Sequence, residues 1–236
     1  MCGRFALTSP PDRVRKTLHY EGTPRFPPRY NIAPTQPVAI VTQERGRRTF
    51  RLVRWAFLPS WAEDPRTFPL LFNARAETLG EKPAYRAALE RRRCVVPADA
   101  FYEWRRDGRE KTPFMVRMAD RGLMPLAGLW ETWTGPNGEE VDGVAIVTCG
   151  ANGVMAAIHE RMPVVLRDEA LDRWLACETV RGSEALALMR PCPEAWLSLH
   201  RIGPRVNAAA NDDPEVQIPV AAAPPPPPGE AQGSLF

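Results

Sequence analysis

The 236-residue sequence contains no apolar run near the roughly 20 residues that span a bilayer as a helix. Its longest uncharged apolar stretch, Gly143 to Ile158, is interrupted by Cys149-Gly150 and Asn152-Gly153. No apolar segment opens the chain, because Arg4 and then Pro10-Pro11 follow Met1-Cys2-Gly3. That order predicts no cleaved secretory signal and a cytoplasmic protein. Histidine is scarce (His19, His159 and His200), and the five cysteines at 2, 94, 149, 177 and 192 form no Cys-x-x-Cys pair. A zinc site is therefore not expected, and an odd cysteine count speaks against a disulfide framework. Lysine is nearly absent, so 28 of the 31 basic residues are arginine. The planar fork of arginine suits phosphate and carboxylate. A GC-rich genome produces the same bias, so composition permits a nucleic-acid partner without establishing one.

What remains is ordinary globular composition, 44% hydrophobic and 25% charged. Val14 and Leu18 at i,i+4 spacing behind Pro10-Pro11 predict a first helix with Ser9 as its N-cap. The Pro-rich stretch from Pro24 to Pro37 is expected to block regular structure. Val38–Thr42 and Thr49–Phe57 read as a hairpin closed at Gln43-Glu44-Arg45-Gly46, and Pro83–Arg92 as a short helix. From Cys94 onward the pattern is mostly β. Strands are expected at Val95-Val96, Ala100–Trp104, Pro113–Met118, Leu126–Trp133, Val141–Thr148 and Trp196–Ile202. Helices are expected at Asp168–Cys177 and Ser183–Met189. The reading is a single α+β domain over residues 1–220, with a curved or barrel-like antiparallel sheet flanked by helices. The last segment, 221–236, holds five consecutive prolines and reads as a disordered polyproline spacer.

Cys94 and Cys149 sit in apolar runs and read as small core residues. Cys2 does not. Removal of Met1, which aminopeptidases perform ahead of small residues, would leave an α-amine and a thiol on adjacent carbons. The amine, with an ordinary pKa of about 7.7–8.0, is partly neutral at pH 7 and can form an imine with an aldehyde. The thiol then adds to the imine carbon and closes a thiazolidine. The same thiol could instead serve as an acyl-transfer nucleophile. Glu103 lies in the aromatic strand Phe101-Tyr102-Glu103-Trp104. Strict alternation puts it on the face of Phe101, opposite Tyr102 and Trp104. A carboxylate in such surroundings, like His159 in Ile158-His159-Glu160-Arg161-Met162-Pro163, suits acid/base work.

In order, five segments carry a resemblance. They are Met1-Cys2-Gly3-Arg4-Phe5, Arg29-Tyr30-Asn31-Ile32-Ala33-Pro34-Thr35, Asn73-Ala74-Arg75-Ala76-Glu77-Thr78, Cys94 to Trp104, and His159-Glu160-Arg161-Met162-Pro163. Together they resemble the SRAP (SOS response-associated peptidase) family over residues 2 to about 218. The resemblance implies abasic-site processing, in which a covalent crosslink to the ring-opened deoxyribose in single-stranded DNA, at junctions with duplex, shields the lesion during replication. Cys2 would be the crosslinking residue, Asn73 would position it and the sugar, and Glu103 and His159 would be the acid/base pair. Arg4, Arg75 and Arg161 match positions that contact phosphates, and Asn31 and Pro34 match a pocket wall. Trp61 resembles a wedge beside the lesion, and Thr148 a DNA contact at a strand end. Where some members carry a second Trp after the wedge, this chain has Ala62. The family name implies at most release of Met1, for the chain has neither a Gly-x-Ser-x-Gly elbow nor a His-Glu-x-x-His pair. No cofactor and no metal is implied, and the expected state is a monomer.

Gln232-Gly233-Ser234-Leu235-Phe236 resembles the pentapeptide by which bacterial proteins bind the sliding clamp. Gln232, Leu235 and Phe236 would make the contacts, and the proline spacer would tether the domain at replication forks. Two rival readings stay open. One is a noncovalent reader of damaged single-stranded DNA. The other is an N-terminal cysteine hydrolase using Cys2, His159 and Glu103 on an amide.

Overall fold

The computed structural model describes residues 2–220; the proline-rich segment from Ala221 and the Gln232–Phe236 peptide lie outside the described residues. Twelve strands follow in order: β1 (Phe5–Leu7), β2 (Arg29–Ile32), β3 (Pro37–Glu44), β4 (Arg47–Arg54), β5 (Asn73–Arg75), β6 (Arg93–Ala98), β7 (Ala100–Asp107), β8 (Glu110–Met118), β9 (Met124–Thr134), β10 (Glu140–Gly150), β11 (Arg161–Pro163) and β12 (Leu197–Arg201). Among the described residues five α-helices accompany them: α1 (Pro11–Leu18), α2 (Pro83–Arg91), α3 (Gly153–Ala156), α4 (Asp168–Leu175) and α5 (Gly182–Leu186). The α+β class is as expected.

The strands divide into two sheets. One runs β12-β8-β7-β1-β2 and is antiparallel throughout. In the other, β10, β4, β3, β6 and β9 pair in that order and β9 returns to β10, so the ring is closed as a barrel. Closure depends on Gly143, whose register partner is Arg54. A Cβ there would lie 2.3 Å from the carbonyl oxygen of Ala56, so only glycine lets the two backbones meet. β5 and β11 are attached to β10, β5 in parallel.

Local chemistry explains most of these elements. Arg45 and Gly46, both at positive φ, form the two-residue loop between β3 and β4, as the twist of a tight hairpin demands. Val14 and Leu18 are completely buried and dock α1. Ser9 does not cap that helix. Its hydroxyl donates to Asp99 at 2.5 Å, and Pro10 occupies the cap position. The Pro-rich stretch does contain regular structure, because β1 supplies a partner for β2, with Phe5 opposite Ile32. The outer edge of β2 is covered by Asp212, which accepts from the backbone N–H groups of Tyr30 (2.5 Å) and Asn31 (2.8 Å) and pairs with Arg29. An exposed edge strand is thereby closed off. Arg93, fully buried, spends its guanidinium on the carbonyls of Leu89 (2.7 Å), Trp174 (2.6 Å) and Val180 (2.7 Å), tying α2 and α4 to the barrel. All five cysteines are free thiols, with Cys94 and Cys149 buried as core residues.

Candidate active site

Phe5 leads into β1 from the cysteine side, and Phe72 immediately precedes β5. Both pack edge-on against the fully buried Trp55, with ring centroids 5.0 and 6.1 Å away. The indole N–H of Trp55 donates to the Phe72 carbonyl at 2.8 Å. This aromatic wedge fixes the first strand of the open sheet against the start of β5, and Cys2 and Asn73 meet at that seam. The Asn73 Nδ2 donates to the Cys2 carbonyl at 2.8 Å. In turn the hydroxyl of Tyr85, on α2, donates to the Asn73 carbonyl at 3.1 Å. Trp55 and Tyr85 therefore hold the site, yet each reads in the sequence as an ordinary aromatic core residue.

Cys2 is completely buried and its Sγ lies 3.8 Å from the Arg4 carbonyl. Burial, reinforced by the nearby Glu103 carboxylate, pushes the thiol far above the usual cysteine range. The thiol is accordingly neutral at pH 7. Glu103 is itself buried on β7. Alternation holds there as expected: Phe101 joins the main core with Cys2, while Tyr102 and Trp104 pack on the other face of the sheet. Tyr102 N–H donates to the Arg4 carbonyl at 2.9 Å, carrying the β1–β7 pairing toward Cys2.

His159 comes from the barrel side, two residues before β11. Its Nδ1 accepts the Arg161 backbone N–H at 2.9 Å, which leaves the proton of the neutral ring on Nε2. The Arg161 side chain is nearly buried and binds Glu77 through two bonds of 2.9 and 3.0 Å. It also donates to the Thr148 carbonyl at 2.7 Å and hydroxyl at 3.2 Å. That guanidinium holds the Glu77 carboxyl below the usual carboxylate range. β5 and β11 flank β10 on its two edges, with Arg75 and Pro163 both opposite Thr148, so Asn73 and the His159 turn belong to one sheet with a single strand between them.

The other expected residues separate into two groups. Arg75, Trp61 and Pro34 reach solvent, Arg75 and Trp61 as exposed residues and Pro34 in part. Trp61 rests edge-on against Phe68 at 5.6 Å. Its neighbour Ala62 turns inward, and the Ala62 carbonyl accepts the Trp133 indole N–H at 2.6 Å, so this anchored loop projects a single indole. Asn31 and Thr148, expected beside DNA, are instead completely buried. Asn31 Nδ2 donates to the carbonyls of Val206, Ala208 and Asn211, and Thr148 Oγ1 donates to Ala74. Arg4 donates to Asn31 Oδ1 (3.1 Å) and to the carbonyls of Val206 (2.7 Å) and Asn207 (3.2 Å). These residues fasten the 204–211 segment and the strand ends that carry the site.

The fold and site define a class: an α+β protein that holds a penultimate cysteine at the seam of an open sheet and a barrel, under an asparagine amide and beside a buried carboxylate. The chain belongs to the SOS response associated peptidase (SRAP) family, whose model matches residues 1–209. Among its relatives, "Abasic site processing protein YoqW" of Bacillus subtilis is 35% identical, covering 92% of this chain and 98% of that protein. "Abasic site processing protein YedK" of Escherichia coli is 30% identical over 93% of this chain and all of that protein. "Abasic site processing protein HMCES" of Xenopus tropicalis is 32% identical over 91% and 77% of the respective chains. A crystal structure of a Bacteroides thetaiotaomicron protein matches the fold with a TM-score of 0.83 at 22% identity, over 93% of this chain and all of the other. No helix among the described residues is long and apolar enough to cross a membrane.

Proposed function

We propose that this protein processes abasic sites by a covalent crosslink from Cys2 to the lesion in single-stranded DNA. The observation that carries the reading is the held cysteine: Asn73 Nδ2 fixes the Cys2 backbone at 2.8 Å while Glu103 lies beside the buried thiol. Once Met1 is removed, the Cys2 amine attacks the aldehyde carbon of the ring-opened deoxyribose and one water leaves as the imine forms. The thiol then adds to the imine carbon. Its proton passes by way of Glu103 to the imine nitrogen, which becomes the ring amine, giving a thiazolidine. Opening of the sugar moves the proton of the anomeric hydroxyl, by way of the Glu103 carboxylate, to the ring oxygen, and the Nε2–H of His159 stabilises that oxygen by donating a hydrogen bond to it. Asn31, Thr148, Arg4 and Arg161 act as positioning residues, Arg75 contacts phosphate, and Trp61 stacks on an unpaired base or the duplex end at a junction.

Burial of the thiol favours this reading over a cysteine hydrolase. Direct attack on an amide needs thiolate, whereas addition to an imine follows prior capture by the amine and proceeds as the proton is removed. A noncovalent reader would need neither the amine nor the thiol. The deciding experiment incubates mature protein with an oligonucleotide bearing one abasic site and resolves the product on a denaturing gel. Loss of Met1 is confirmed by intact mass. A heat-stable shifted band requiring both Cys2 and the lesion is the expected result. Its absence from Met1-free protein overturns the proposal.

The C-terminal pentapeptide adds a partner to this reading: Leu235 and Phe236 fill an apolar cleft of the bacterial sliding clamp and Gln232 orients the peptide, recruiting the protein as a monomer to replication forks. A fluorescent peptide of the last ten residues that fails to bind the clamp at tens of micromolar ends that part of the proposal.

A further inference from the structure

Alternation along the open sheet gives it two faces. Phe5, Phe101 and Val116 belong to the main core, while Ala6, Ala100, Tyr102 and Met115 pack outward beneath Ile202, Val206 and Val216. The covering segment does not reach one end of this outer face. There a cleft of about 250 Å³ opens between Thr8–Pro10, Arg13, Asp99, Arg117, Arg121 and Gln217. It lies past the far end of β1 from Cys2, separated from the cysteine by at most about 20 Å of extended chain.

Charge in this cleft is unbalanced. Three guanidinium groups, Arg13, Arg117 and Arg121, face a single carboxylate, Asp99. That carboxylate is already spent, for it accepts from Thr8 N–H (2.6 Å), Ser9 N–H (2.7 Å) and the hydroxyls of both residues. Arg13 donates to the Arg121 carbonyl at 2.6 Å, which holds the 119–123 turn against α1 with Arg121 in the left-handed region. Arg117 stands on β8 opposite Ala100 and Ser198. Its Nε is buried and has no hydrogen-bond partner among the described residues. On the adjacent strand His200, opposite Met115, is diagonal to Arg117 on the same face, and its Nε2 is likewise buried without a partner. Burial, and then the charges of Arg117 and Arg121, hold the His200 imidazole below its usual range.

Two orphaned buried nitrogens, one of them a guanidinium N–H beside further uncompensated guanidinium groups, are costly unless something pairs with them. We propose that this cleft binds a phosphate group, with Arg117 donating from the floor and Arg13 and Arg121 supplying charge at the rim. The same chemistry recognises a backbone phosphate of a DNA strand running away from the Cys2 site or a free phosphate, and experiment separates the two.

The test follows the His200 ring resonances of the full chain by NMR during titration with inorganic phosphate. A saturable shift is expected, weakened about tenfold in Arg121→Gln, the loss of one charge-assisted hydrogen bond. Arg121 is exposed, so this variant keeps its fold. Arg117→Gln should abolish the shift and Arg117→Lys should partly restore it. In parallel, an undamaged single-stranded oligonucleotide is bound to Cys2→Ala protein with and without Arg121→Gln. Weaker binding with a shallower salt slope identifies DNA as the source of the phosphate; unchanged DNA affinity together with a saturable phosphate shift identifies a free phosphate. If His200 ignores phosphate at tens of millimolar and DNA affinity is the same in both proteins, the proposal is wrong.

Discussion

Replacing Asn73 with alanine removes one amide and little else. Strand β5 keeps its pairing with Ile146, Val147 and Thr148, and the Asn73 carbonyl keeps its bond from Tyr85, because both use backbone atoms. What disappears is the 2.8 Å bond from Nδ2 to the Cys2 carbonyl. A neutral hydrogen bond is worth about 0.5–1.5 kcal/mol net, and a buried carbonyl left without its donor costs about 1–3 kcal/mol. We take about 1–2 kcal/mol for the loss of Cys2 placement, which corresponds to roughly 5–30-fold in the rate of crosslinking. The same loss should lower Tm by only about 2–8 °C for a chain of this size. Asn73→Asp should be worse than alanine, since a carboxylate cannot donate to the Cys2 carbonyl and adds negative charge near Glu103. The assay is the time course of crosslink formation with an abasic-site oligonucleotide at saturating DNA, alongside a melting curve. A rate for Asn73→Ala within twofold of wild type would refute the claim that this amide positions the nucleophile.

Other consequences follow from separate parts of the structure. Burial first raises the Asp212 pKa, but Arg29 and the N–H groups of Tyr30 and Asn31 outweigh that and leave it below the usual carboxylate range. Its contribution is thus present above the ordinary Asp pKa of about 3.9 and lost as pH falls through the lower folded value. The Tm advantage of wild type over Asp212→Asn should therefore be full at pH 7 and shrink below about pH 4, as a thermal melt series would show. Trp61 is 58% exposed, so Trp61→Ala should leave stability within about 0.5 kcal/mol. It should weaken single-stranded DNA binding by about 1–3 kcal/mol in fluorescence anisotropy, measured in a Cys2→Ala background. Arg93→Met strands two buried carbonyls and a part-buried one and should cost about 3 kcal/mol or more, read as a lower denaturation midpoint in urea at unchanged slope.

The site was legible in the sequence as residue types in order, and much less so as structure. The long strands and α1, α2 and α4 were visible because hydrophobic periodicity over eight or more residues reports burial directly. The strands that carry the site motifs, β1, β2, β5 and β11, have only three or four residues each. Three residues are too few for alternation to register, and β2 lies within a stretch whose prolines argue against it. Three of them exist because a longer neighbour supplies a ladder of hydrogen bonds, β7 for β1 and β10 for both β5 and β11, and β2 pairs in turn with β1. The sides on which Phe101, Tyr102, Glu103 and Trp104 fall could be read in advance, since a strand's period is two whatever it pairs with.

By itself, the sequence determined an α+β chain with a cysteine at position 2, an aromatic strand bearing one carboxylate, and a family membership written in five short segments. Those are properties of residue type and local spacing, which the chain carries before it folds. Only the tertiary structure decided that Cys2 is buried under Asn73, that Trp55 and Tyr85 hold the two in place, and that Asn31, Thr148 and Arg4 face inward. It also decided that a barrel closes at Gly143 and that Arg117 and His200 come together on an outer face. These depend on contacts between residues far apart in sequence. Burial, the property that keeps the thiol protonated, belongs to the packed whole and to no single segment.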